Sequence, residues 1–438
     1  MKLFQQMLVA TAALGLIAPV ATQASDVINL DGMNDYSRSK KSSKRIDSKT
    51  FINDVNEDIA ILKGRIDGLE AKQNNFEASS FSDTTTFDGK AVFVIGAVDG
   101  NDEQNDSGEY SNMHQKVGSA YVYQMNLNTS FTGDDNLYVR LKTGDGWDGI
   151  FDAKPGSYHI EAKDNGDTLK VDKIWYTFPI GDKVTATYGP KIENYYMLAA
   201  TPSVYKPGVL KAFKLGGHSS AFGASTSTGF GLKYLADNGF AVSTTVNSKK
   251  AADGKGLLTV EDQNKINTQV AYTADNYHLS ATYSMQRGWD SWAYYSTLDM
   301  HDKASSGTAD AVALRAWWRP NETGTATPSV SVGYDTINFT DHGLGIDQGS
   351  GFMVGLNWAD MIQADDKIGI AIGQPMKATS AETGSTLSDV DPFLWEAYYS
   401  FRPNDNIEVT PAIFGGTDVL EDTEDDLFGV ALTTTFKF

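Results

Sequence analysis

Two periodicities divide this chain. Ile52, Ile59 and Ile66 recur every seven residues, and Val55, Leu62, Leu69 and Phe76 hold the second apolar position of the same heptad. That spacing lays one seam along a helix, narrower than a globular core face, and predicts a coiled coil between protomers over residues 51–78. A single amphipathic helix packed on its own domain is the alternative. Ile at the first position with Leu at the second leans towards two strands in isolated peptides, a lean that a large trimeric body overrides. From residue 84 to residue 438 the period falls to two. Tyr121, Tyr123, Met125, Leu127, Thr129 and Phe131 alternate with Val122, Gln124, Asn126, Asn128 and Ser130. Tyr277, Leu279, Ala281, Tyr283 and Met285 alternate in the same way with His278, Ser280, Thr282, Ser284 and Gln286.

Alternation alone also suits a soluble sandwich with one wet face, so the connections between strands decide. Seven tight turns recur, each following an outward aromatic: Phe131, Phe178, Tyr234, Tyr272, Trp318, Trp358 and Phe401. Between these hairpins lie eight long polar connections, near 99–117, 146–167, 191–223, 249–263, 288–309, 337–348, 376–392 and 417–426. A barrel of about sixteen antiparallel strands, with both ends on the short-turn side, needs that number of each. The expected fold is therefore all-β, a transmembrane barrel over residues 84–438 preceded by the coiled-coil helix. The seven aromatics would form the inner interfacial girdle. In the last strand Phe428, Val430, Leu432, Thr434, Phe436 and Phe438 share the lipid face, and a final aromatic there looks like the signature that barrel-insertion machinery reads.

The first residues change the setting. Lys2 precedes an apolar run from Met7 to Val20 and a small-x-small site at Thr22-Gln23-Ala24, which predicts a signal peptide over residues 1–24. A membrane anchor is the alternative, although the run is short for a span. Residues 25–50 read as a polar, locally basic linker. No later run reaches about 18 apolar residues, so only a closed barrel would hold the mature chain in a membrane.

A net charge of −20 argues against nucleic acid as a partner. Cysteine is absent, which removes disulfides, thiolate metal sites and Cys nucleophiles. The six histidines are scattered and no catalytic signature such as G-x-S-x-G or H-E-x-x-H occurs, so neither an enzyme nor a cofactor or metal is expected.

Candidate chemistry then lies on the inward register. Lys90, Arg140, Lys142, Lys173, Lys183, Lys233 and Arg315 stand opposite the apolar sets of their strands, against fewer acids, among them Asp88, Asp335, Glu396 and Glu408. Singly each is a solvated wall residue; together they imply a positive lumen field. The longest connection, 191–223, carries Lys191, Lys206, Lys211, Lys214 and His218 against Glu193. The first and last connections are acidic and lack calcium-loop spacing. They are read as solvated surface or as a contact for cations that bridge lipopolysaccharide. Trp289, Trp292, Tyr294 and Tyr295 in the fifth are read as packing, at an interface or the outer headgroups, with sugar stacking as the alternative.

Several stretches resemble the cyanobacterial-type, Som-like outer-membrane porins, which are grouped with the OprB carbohydrate-selective family and often labelled iron-uptake porins. They are residues 1–16, 61–70 (ILKGRIDGLE), 126–145 (NLNTSFTGDDNLYVRLKTGD), 171–190 and 202–205 (PSVY). The resemblance implies passive diffusion of small hydrophilic solutes through the outer membrane, with inorganic ions, iron and sugars as candidates, and a homotrimer. It also implies that the third outer loop folds inward to narrow the pore. Family members carry an S-layer-homology module between signal peptide and coiled coil; residues 25–50 are too few for it. Any wall contact would come weakly from the basic linker. A structural tether between membrane and wall, or a secreted β-rich adhesin, are the competing readings.

Overall fold

The computed structural model describes residues 84–100, 117–147, 158–217, 221, 226–289, 307–340, 345–387, 391–418 and 426–438. The signal, linker and heptad seam (Ile52, Val55, Ile59, Leu62, Ile66, Leu69) lie outside them, as do His218, Trp292, Tyr294, Tyr295 and most acids of the first and last connections. Sixteen strands run in chain order: β1 (Thr85–Gly100), β2 (Gly118–Thr129), β3 (Asn136–Asp145), β4 (Lys170–Ile180), β5 (Val184–Ile192), β6 (Ser227–Leu235), β7 (Phe240–Ser248) and β8 (Asn264–Thr273). They continue as β9 (Tyr277–Arg287), β10 (Thr308–Trp318), β11 (Ser329–Phe339), β12 (Ile346–Ala359), β13 (Lys367–Ala381), β14 (Phe393–Asn404), β15 (Ile407–Thr417) and β16 (Leu427–Lys437). Every strand pairs antiparallel with its sequence neighbours, and β16 returns to β1 to close the barrel, with Ala91 opposite Phe436 and Ala97 opposite Val430. Closure leaves no strand edge, the condition a sheet must meet in hydrocarbon.

The alternation is an inside-out partition. Along β9, Tyr277, Leu279, Tyr283 and Met285 are exposed on the outer face, while His278, Ser280, Thr282, Ser284 and Gln286 are buried within the barrel. An apolar outside around a polar inside is the partition a membrane-spanning barrel requires. At the short-turn end Phe131, Tyr234, Trp318 and Phe438 are exposed and Phe178, Tyr272, Trp358 and Phe401 half-buried. Phe438 stacks against Phe87 and Tyr123, and its backbone exchanges two hydrogen bonds with Gly89, so the last residue seals the seam.

Two short turns are built around buried aspartates. Asp135 accepts from the backbone N–H groups of Phe131 and Thr132 and the Ser130 hydroxyl, and Tyr176 of β4 donates to it at 2.6 Å. Asp366 likewise accepts from Met361, Ile362 and Gln363 and from Tyr399 of β14. Carboxylates do this because a tight turn strands N–H donors that the ladder cannot reach.

Two connections are shorter than the alternation predicts. The segment read as 337–348 shrinks to 340–345, and the one read as 376–392 begins only after Ala381. Polarity inverts there: Ile337, Ile346, Met376 and Ala378 point inward and are buried in one apolar cluster with Ala221 and Trp289. An apolar inward face erases the signal that marks a strand.

Candidate functional site

The connection after β5 turns into the barrel and is fastened to the far wall along its length. Ser243 of β7 accepts from the Ala199 N–H, and the Gln269 carboxamide of β8 bonds both backbone groups of Ala200. Trp317 donates its indole N–H to the Thr201 carbonyl, and Ser331 accepts from Val204 and Tyr205. The Glu396 carboxylate of β14 collects four donors: the Tyr205 hydroxyl at 2.7 Å and the N–H groups of Gly208, Val209 and Leu210 at 3.0, 3.0 and 2.7 Å. Close approach needs glycine in the wall; a side chain on Gly333 would overlap the Gly216 carbonyl, and one on Gly355 the Tyr205 ring.

A second connection joins it, which the alternation gives no means of seeing. Ile160 donates to the Val209 carbonyl and Lys211 to that of Tyr158, a short antiparallel bridge across the lumen. His159 is fully buried there, 3.2 Å from the Thr433 hydroxyl of β16, and burial pushes its imidazole down to about 4. Beside it Glu161 pairs with Lys90 at 2.5 Å. Burial would raise that carboxyl, but the Lys90 and Lys142 charges overcome it and hold it at about 2. Val92, Val94 and Val122 face inward beneath these loops, packed with Val209, Leu210 and Phe213.

The cations gather on the β1–β4 side. Arg140 lies between the Tyr138 and Tyr196 rings, 5.5 and 5.6 Å from their centroids, and donates to Asn126. Lys173 is buried, paired with Glu193, 3.8 Å from Asp172 and over the Tyr196 ring. Lys142 is half-buried on β3, opposite Gln124 and Lys170. From the inserted loop, Lys211 sits over Tyr158 at 4.5 Å and Lys214 over Tyr195 at 4.3 Å, also bonding its hydroxyl. Such stacking holds an ammonium in place without neutralising it. Lys163 adds a further ammonium 3.4 Å from Asp172, and Asp88 shares Asn126 with Arg140, so seven cations meet four carboxylates, Asp88, Glu161, Asp172 and Glu193.

Other expected members lie elsewhere. Arg315 faces inward, but its guanidinium is buried, paired with Asp335 at 2.8 Å and spent on the Leu215 and Gly217 carbonyls. It is a clamp for the inserted loop rather than a charge lining the passage. Lys183 sits in the β4–β5 turn, paired with Asp237, because the parity count does not hold where a strand has ended. Lys233 is half-buried on the inner face of β6, opposite Thr185 and Ser243. Lys191 is on β5 and donates to the Val171 carbonyl. Lys206 is exposed, and its carbonyl accepts from Tyr398. Of the inward acids, Asp88 holds Asn126 and Asn128, and Glu408 holds Lys437 and Arg402.

A closed sixteen-stranded barrel with a lipid-facing exterior, narrowed from within by a fastened loop, is the architecture of an outer-membrane porin for small solutes. The chain belongs to the carbohydrate-selective porin OprB family, whose model matches residues 48–437. It is 24% identical over 420 residues to the uncharacterized protein alr4550 of Nostoc sp., covering 87% of this chain and 70% of that one. It is 22% identical to sll0772 of Synechocystis sp., also uncharacterized, over 84% of this chain and 71% of that one. Among solved structures, Pseudomonas putida OprB superposes with a TM-score of 0.54 at 12% identity, over 81% of this chain and 94% of that one.

Proposed function

We propose that the passage carries small hydrophilic solutes and prefers small anions. The observation that supports this is the pair Lys211 and Lys214, held on the inserted loop across from Lys90, Arg140 and Lys142. Permeant ions sample charge within a Debye length, ~8–10 Å at physiological salt, so the narrow zone outweighs the acidic exterior. Free iron cations fit this field poorly; anionic iron complexes and the neutral sugars of the family's label fit it better.

Burial pushes Lys214 down to about 7, with the Lys211 charge adding to it, and burial pushes Lys211 down to about 8. Both ammonium groups are charged below those values and neutral above them, while Glu161 stays ionised throughout. Anion preference is therefore expected to be high at pH 6 and to fall through pH 7–8. A reversal potential across a salt gradient in a planar bilayer measures it. Cation preference at pH 6, or a preference that rises with pH, would reject the assignment.

The N-terminal segment we read as a periplasmic stalk that joins protomers, three in the favoured reading, through Ile59, Leu62, Ile66 and Leu69, with the basic linker touching wall polymers. Aspartate at both Ile59 and Ile66 is expected to separate the stalks while the barrels stay inserted, since burying unpaired carboxylates is costly. Cross-linking through the stalk and helicity by circular dichroism test it; both unchanged would mean the seam is misread.

A further inference from the structure

A second set of cations stands at the short-turn end of the inner wall, on other strands than the first. Lys367 opens β13, Arg402 lies near the end of β14 and Lys437 ends β16. Their chain neighbours Ile368, Phe401 and Phe436 hold the outer face, so all three belong to the inner one. Lys206 joins them from the inserted loop, where it is exposed. The charges of Lys206, Arg402, Lys437 and Glu408 of β15 all act on Lys367, which places the five groups together.

Most of this binding capacity is unspent. The Lys206 and Lys367 ammonium groups meet no carboxylate and no hydrogen-bond acceptor among the described residues. Arg402 uses only its Nε, 3.4 Å from Glu408 Oε2, and Lys437 reaches the same oxygen at 3.0 Å. Both terminal nitrogens of Arg402, and Oε1 of Glu408, are left without a partner among the described residues. Water reaches these groups: the Arg402, Glu408 and Lys437 side chains are 33, 26 and 43% exposed. The other acids at this end are occupied or lie out in the turns. Asp88 is taken by Asn126 and Asn128, Asp366 by its own turn and Tyr399, and Asp360 by the Asp365 N–H, while Asp365 and Asp405 are exposed turn residues.

We propose that this cluster is a binding site for inorganic phosphate, taken as the hydrogen phosphate dianion at the short-turn mouth of the passage. Four cations with unused donors suit an anion of two charges and several oxygens better than chloride, and a guanidinium with both terminal nitrogens free grips a tetrahedral oxyanion bidentately. Glu408 supplies the discrimination. Its free oxygen accepts from the proton that hydrogen phosphate keeps, whereas sulfate carries no proton at neutral pH and meets the carboxylate as a like charge. Because the site is wet, phosphate leaves as readily as it arrives, which a station on a diffusion path requires. Lys437 stands opposite Lys90, so the cluster extends the cation line of the passage towards the short-turn end. The proposal names a substrate for the anion passage and rests on that reading, yet it uses other residues and is read by another signal.

The test uses the full-length protein in planar bilayers at pH 7, with chloride current recorded as inorganic phosphate or sulfate is added at equal ionic strength. Phosphate is expected to reduce the current at a concentration at least about fivefold below that of sulfate. Lys206→Gln with Lys367→Gln removes two unpaired ammonium groups and is expected to weaken the phosphate effect roughly tenfold, with the sign of the reversal potential in chloride unchanged. Should that double variant assemble poorly, as heat-modifiable migration on gels reports, Lys206→Gln alone changes an exposed loop residue and is expected to show the same shift at smaller size. Glu408→Gln is expected to bring phosphate and sulfate together. Sulfate acting as well as phosphate on the unaltered channel, or a phosphate effect that persists undiminished in an assembled lysine variant, would overturn the proposal. An anion-preferring channel indifferent to phosphate would overturn this site alone, whereas a cation-preferring channel that phosphate still blocks would reject the passage reading and uphold the site.

Discussion

Replacing Lys211 and Lys214 together by glutamate is expected to turn an anion-preferring channel into a cation-preferring one. Both ammonium groups are carried by the inserted loop and held over tyrosine rings, so their charges stand at fixed positions inside the barrel. The exchange moves the local balance from an excess of three positive charges to an excess of one negative, counting Lys90, Arg140, Lys142, Lys163 and Lys173 with the two exchanged positions against Asp88, Glu161, Asp172 and Glu193. Inside the barrel a unit charge acts more strongly than on the outer surface. The reversal potential, recorded at pH 6 where both lysines are protonated, should change sign, and either single exchange should bring it near zero. An unchanged sign in a channel of normal conductance would place the selecting charges elsewhere.

Removing the Glu396 carboxylate, by Glu396→Ala, is expected to widen the passage. Three backbone N–H groups and one tyrosine hydroxyl lose their acceptor at once, at about 1–3 kcal/mol for each group left buried and unmet. The stretch around Gly208, Val209 and Leu210 is the part of the loop farthest from its roots, so it should leave the wall first. Single-channel conductance should rise about two- to fivefold and larger solutes should enter. Glu396→Gln keeps one acceptor and should fall between. Gly333→Ala attacks the other fastening, where the Gly216 carbonyl packs against β11, and should widen the passage without touching Glu396. If both variants insert and conduct as before, the ties to Ser243, Gln269, Trp317, Ser331 and Arg315 suffice to hold the loop.

The barrel itself is legible because lipid imposes a strict rule. In β9 and β16 one face must be apolar and the other polar, and the turns at Asp135 and Asp366 announce themselves by residue type. Strand number and direction follow from that rule and the asymmetry of the connections. The outer ends of β11, β12 and β13 break it, since their inward residues meet apolar loop residues instead of water. The candidate site was legible as a set of positions and not as a set of partners. Lys211 and Lys214 are loop lysines like any others until Tyr195 and Tyr158 are seen beneath them. Whether an inward arginine lines a passage or ties down a loop depends on Asp335 and on carbonyls a hundred residues away. His159 and Glu161 were invisible for the same reason: nothing in a polar connection says that it will cross to β16.

The fastening of the inserted loop also sets an order of events. Tyr205 meets Glu396 across a separation of 191 residues, and Ser331 lies 126 residues beyond Tyr205. Contacts so remote along the chain form late, because the intervening segment must first be brought into place. The loop leaves β5 early in the sequence, and although β7, β8 and β10 hold its first residues, the stretch from Val204 to Leu210 gains its ties to the wall only when β11 and β14 have arrived. A newly inserted barrel therefore passes through a wide, unselective stage, and its permeability should contract with time as the loop is seated.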